Sequence, residues 1–86
     1  MRARILGTEG DVRGGLLAGV EGTICRTRAE AEAAFDRVEA DAAEVGLVLV
    51  SAPVAALVPA RVAALEERAD APVILVLPEL GAEATP

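Results

Sequence analysis

At 86 residues the chain has room for one domain around one core, and its 53% apolar content places it among globular rather than disordered sequences. Its net charge of −6, with no lysine or histidine and one aromatic residue, Phe35, excludes a nucleic-acid platform, which needs clustered cations and stacking rings, and disfavours an anionic membrane surface. No apolar run approaches the ~20 residues of a membrane span, no secretory leader is read because Ile5-Leu6 stops at Gly7, and the single Cys25 has no partner for an internal disulfide, which suits a reducing compartment.

In chain order, the first predicted element is a strand over 2–6. Gly7, Gly10, Gly14 and Gly15 follow closely, a density that puts backbone shape ahead of side-chain chemistry. Thr8 can cap a helix over 9–18, with Gly19 as its C-terminal stop. Gly14 and Gly15 each cost that helix about 1 kcal/mol relative to alanine, and both read as places where the helix backbone presses on the sheet. A short second strand spans 22–26. Thr27-Arg28-Ala29-Glu30 is a capping box that opens a helix to about Glu44. Its apolar positions Ala31, Ala34, Phe35, Val38, Ala42 and Val45 recur at helical spacing, opposite Glu32, Asp36, Glu39 and Asp41, and Gly46 ends it.

Leu47-Val48-Leu49-Val50 is a continuous apolar run, as expected of a central parallel strand covered on both faces. Ser51-Ala52-Pro53 turns the chain, residues 53–58 form a separate helical turn, and Pro59 fits the first turn of a helix to about Ala69. Asp70-Ala71-Pro72 breaks the chain. Val73–Leu77 is the fourth strand, and Pro78 stops it. Residues 1–78 thus read as a single α/β domain, with 79–86 a short, disordered C-terminal tail. The order βαβαβαβ with right-handed crossovers predicts a four-stranded parallel sheet with helices on both faces and strand order 2-1-3-4, a Rossmann-like or receiver-like fold.

The candidate chemistry is mostly excluded. A phosphate-binding loop needs a lysine, and the chain has none. The spacing Gly7, Gly10, Gly14 is not that of a dinucleotide fingerprint. A phosphoacceptor receiver needs an acidic pair after strand one, an aspartate ending strand three and a later lysine; the corresponding positions hold Thr8-Glu9, Ser51 and no lysine. One cysteine and no histidine leave only carboxylates as metal ligands, and those of residues 30–44 lie on a helix surface. Cys25 reads as a small buried hydrophobe, and Ser51 has no basic partner to activate it. No catalytic, cofactor-binding or metal-binding residue is assigned, and no cofactor is expected.

One positive feature remains. Val54, Ala55, Ala56, Leu57, Val58, Val62, Ala63 and Leu65 hold more apolar residues than one helix stripe can hide. Either part of the group faces a partner, with Val54, Leu57, Val58 and Leu65 the candidates, or an irregular turn buries it.

The stretch from Gly7 to Val20, followed by this strand pattern, resembles the F subunit of V/A-type rotary ATPases. That family shows a strand ending in Gly-Asp, then Gly-Phe-Arg-Leu-Ala-Gly-Val. Gly14, Leu17, Ala18, Gly19 and Val20 match in register, Gly15 and Leu16 replace the Phe and Arg, and Thr8 stands for the Asp. Pro72-Val73-Ile74-Leu75-Val76-Leu77-Pro78 is similar to the family's Pro-bounded last strand, with Val76 in place of a glutamate. The likeness covers nearly all of 2–78. It implies a non-catalytic central-stalk subunit of a proton- or sodium-translocating ATPase or ATP synthase. Such a subunit is cytoplasmic, peripheral to the membrane through the complex, and bound to the coiled-coil shaft subunit and other stalk subunits without inserting into the membrane. Many members add a C-terminal helix that modulates ATP hydrolysis; here eight residues follow Pro78. The alternative is a receiver-like regulatory or small-ligand module without phosphoacceptor chemistry, with a pocket at Gly7, Thr8, Thr27 and Ser51.

Overall fold

The computed structural model describes residues 2–68 and 71–78. Its elements are β1 (Arg2–Gly7), α1 (Glu9–Leu17), β2 (Glu21–Ile24), α2 (Arg28–Ala40), β3 (Val45–Ser51), α3 (Ala52–Leu57), α4 (Pro59–Glu67) and β4 (Val73–Leu77). The strands form one parallel sheet in the predicted order β2-β1-β3-β4. The proposed tail, 79–86, lies outside the described residues.

Helix starts follow local chemistry. Thr8 precedes α1, and its hydroxyl accepts from the Asp11 N–H at 3.3 Å while the Asp11 carboxylate accepts from the Thr8 N–H at 3.3 Å. Thr27 and Glu30 close the same reciprocal pair at the start of α2. Gly19, at φ +82°, turns the chain out of α1 as predicted, and the Val20 N–H donates to the Gly15 carbonyl at 2.8 Å.

Most predicted boundaries shift by a residue or two, and two shifts are informative. β2 ends at Ile24 rather than 26, although the Cys25 N–H still donates to the Gly7 carbonyl at 3.0 Å. α2 ends at Ala40 rather than Glu44, and Gly46 lies inside β3 instead of stopping the helix. The sheet competes for this segment: Arg2 pairs with Val45, whereas Ala3 pairs with Leu47. Gly46 is therefore one extra residue on β3. The slip brings Val45 into phase with Val48 and Val50, and it is buried with them.

Crossover handedness then divides the helices. The step from β1 to β2 runs one way along the sheet, and the steps from β2 to β3 and from β3 to β4 run the other way. Right-handed crossovers put α1 on one face and α2, α3 and α4 on the opposite face. The core lies under the three helices, where Leu6, Val48, Val50 and Ile74 meet Phe35, Val38, Val54, Val58, Val62 and Leu65.

Candidate functional site

In an open parallel sheet, ligands bind at the carboxyl ends of the strands. Here those ends carry polar groups that largely satisfy one another. Thr8 and Asp11 cap α1. Glu9 accepts from Arg13 at 2.9 Å and from Arg26 at 3.0 Å. The Arg26 N–H donates to the Glu30 carboxylate at 2.7 Å, and Thr27 is held in the second capping box. Ser51, at the end of β3, is buried, and its hydroxyl has no hydrogen-bond partner within the described residues.

Several other ionisable groups are held by burial or in ion pairs away from the strand ends. Cys25 is buried, and burial, with the Glu30 carboxylate second, pushes its thiol upward, away from the reactive thiolate. Arg61 on α4 reaches Glu32 (2.6 Å), Asp36 (3.0 Å) and Glu39 on α2, and lies 5.7 Å from the centroid of the Phe35 ring. Partial burial lowers its pKa, but the hydrogen bonds to Glu39, Glu32 and Asp36 outweigh that effect and hold it above its ordinary value. Arg68 adds a 3.0 Å pair to Glu39. At the amino end of the sheet, Arg2 and Arg4 pair with Glu21, Glu44 and Asp41. Among the described residues no group of His, Cys, Asp and Glu could hold a metal ion, and no helix is long and apolar enough to cross a membrane.

The four residues read as partner-facing occupy other places. Val54, Val58 and Leu65 belong to the core, and Leu57 is half-buried against it. Of the two readings left open by the sequence, burial is the one these residues adopt. The apolar surplus exceeds one helix stripe because the segment is two helices: α3 ends at Leu57 and α4 begins at Pro59, so two short elements hide it in two directions.

Of the residues that carried the family likeness, Gly7 is buried at the end of β1, where a Cβ would meet that of Asp11 at 2.9 Å. Ala18 caps α1, Leu17 is 88% exposed, and Pro72 and Pro78 flank β4. Gly15 does press on the sheet, since a Cβ there would lie 3.1 Å from Ile5 Cγ2, but Gly14 does not: nothing lies within 4 Å of its Cβ position.

Exposed apolar strand residues lie mostly on the α1 face; Val76, paired with Val50 on the other face, is also 45% exposed. Partners across a parallel ladder share a face, so Leu47 and Val73, and Leu49 and Leu75, lie together with Ala3 and Ile5. α1 covers the Ile5 end, packing on β1 and β2 through Val12 and Gly15. Among the described residues no element lies over β3 and β4 on this face. Val73 and Leu75 are 61% and 51% exposed there, and Leu47 and Leu49 are only partly covered. The sequence missed this surface because an apolar strand run reads the same whether one face or both are covered.

The sequence profile of the family described as ATP synthase (F/14-kDa) subunit matches residues 4–86. No curated protein matches the chain.

Proposed function

Because the chain belongs to the ATP synthase F/14-kDa subunit family, we propose that it is a non-catalytic central-stalk subunit of a V/A-type rotary ATPase that binds the coiled-coil shaft subunit. The family match over residues 4–86 carries this reading. The arrangement of polar groups supports it: the Thr8 and Thr27 hydroxyls and the carboxylates beside them are engaged in helix caps and ion pairs, and Ser51 and the one thiol are buried. A subunit that passes torque needs a stiff body and a firm grip on its neighbour. A parallel sheet packed under three helices, two of them bridged by the Arg61 ion pairs, with part of one face left apolar, is compatible with both.

The test is co-expression of this chain with the shaft subunit of the same complex, followed by size-exclusion chromatography. An equimolar complex is expected, and the isolated chain should release no phosphate from ATP. Separate elution of the two subunits, or ATP turnover by the isolated chain, overturns the proposal.

A further inference from the structure

We propose that the free edge of β2 takes up an extended peptide segment of another protein as an added strand, with an acidic side chain of that segment bound to Arg37 on α2. This goes beyond the stalk reading and does not depend on it. β2 is one edge of the sheet. The Cys25 N–H donates inward, to the Gly7 carbonyl, so by strand alternation Gly22 and Ile24 direct their N–H and C=O groups outward. Among the described residues no strand pairs with that side. A row of backbone donors and acceptors is matched by another extended backbone, whereas a helix has spent its own internally. The opposite edge, β4, is bounded by Pro72 and Pro78, which donate no N–H; β2 has no proline beside it.

The space beside this edge is shaped for single side chains. Thr23 pairs with Leu6, which lies in the core under the three helices, so Glu21 and Thr23 share the face that α2 covers. There α2 offers the small side chains of Ala33 and Ala34, and two clefts open between strand and helix, sharing Thr23 and Arg37. One, of about 220 Å³, is bordered by Ile24, Ala33 and Ala34; the other, of about 280 Å³, by Arg4, Glu21 and Asp41. Each is smaller than the ~300 Å³ at which small-molecule pockets begin. Alternate side chains of an added strand share one face, so the strand offers one to each cleft, an apolar one and a polar one.

The charges select an acid. Arg4 is held by Glu21 and Asp41, and the Glu30 carboxylate accepts from the Arg26 and Thr27 N–H groups. Arg37 is exposed and lines both clefts. It is the one arginine of the eight with no carboxylate partner among the described residues, in a chain with 14 acidic residues. A single guanidinium suits a single carboxylate; a polyanion needs clustered cations. A second copy fits less well, because β2 laid against β2 brings only Glu21, which Arg2 and Arg4 already hold.

A display library of random nonapeptides, selected against the immobilised full chain, tests the proposal. Selected peptides should carry Asp or Glu two residues from an apolar side chain. One of them, resynthesised, should bind Arg37→Glu at least about tenfold more weakly, the worth of one charge-assisted hydrogen bond. Its binding should slow amide exchange at Gly22 and Ile24 and leave β4 unchanged. Ile24→Pro, which removes one outward N–H, should abolish binding; a thermal melt checks that this variant folds, and if it does not, the Arg37→Glu and exchange measurements decide. Failure to select any peptide, selection without acidic residues, equal binding by Arg37→Glu, or unchanged exchange at Gly22 and Ile24 overturns the proposal. So does a dimer of the chain alone whose formation protects those two amides.

Discussion

On one face of the sheet, Leu6, Val48, Val50 and Ile74 lie under three helices and are at most 8% exposed. On the other, Ile5 under α1 is 5% exposed, while Leu75, two strands away, is 51% exposed. The side chains on the two faces are of the same kind. The difference lies in how many helices the chain delivers to each face, and that follows from strand order and crossover handedness. A strand's composition reports that it is apolar; only the topology reports which half of which face is left for something else.

The sharpest way to break the comparison is to truncate one large side chain on each face. Phe35, fully buried under the sheet, fills the centre of the three-helix side. Phe35→Ala should cost about 3–5 kcal/mol, a large share of the 5–15 kcal/mol typical of a domain, and should leave much of the chain unfolded at room temperature. Leu75→Ala should lower the unfolding free energy read from urea melts by less than about 1 kcal/mol, because the wild-type side chain is already half in water. Equal losses at the two positions would mean that the β3–β4 strip is covered within the chain itself.

A subtler contrast lies between two glycines near α1. At Gly22 a Cβ would fall 2.7 Å from Ile5 Cγ2 and 2.8 Å from Val12 Cγ1, both on stiff, β-branched side chains. Gly22→Ala should therefore cost about 1–3 kcal/mol. Gly14 has open space, so Gly14→Ala should stabilise the isolated chain by up to about 1 kcal/mol through helix propensity alone. Thermal melts of the two isolated variants measure the contrast, and a loss of stability at Gly14 would show that the space at its Cβ position is filled.

The apolar strand runs, the capping box at Thr27, the turn at Gly19 and the α3–α4 break at Pro59 were legible in the sequence, because each rests on a local rule: hydrophobic pattern, a hydroxyl at a cap, a positive φ, a missing N–H; strand order then followed from right-handed crossovers. The end of α2 was not. Ala42 and Val45 continue the helical period of Val38, and only pairing with Arg2 draws Val45 into the sheet. Such competition between local period and long-range pairing leaves no mark in a short window. The choice between a partner-facing and a buried Val58 is open in the sequence for a related reason: only the bend between α3 and α4 turns Val58 into the core.

The smallest expected effect compares the two faces by titration. Cys25 packs into the core on the three-helix side, and burial raises its thiol pKa. A raised acid favours the protonated folded form, so its contribution is complete below the unfolded thiol's value of about 8.5. Above that pH the unfolded chain loses its proton first, the folded chain holds more protons than the unfolded one, and stability falls with rising pH until the folded thiol titrates. The slope from one such group is at most about 1.4 kcal/mol per pH unit. Urea melts of the wild type from pH 7 to 10 should therefore show an alkaline decline that Cys25→Ala flattens. Adding Leu75→Cys to that variant should not restore the decline, because a thiol at this exposed position meets water in both states. Restoration by the second substitution would show position 75 to be as dry as position 25, and the two halves of the molecule would no longer differ.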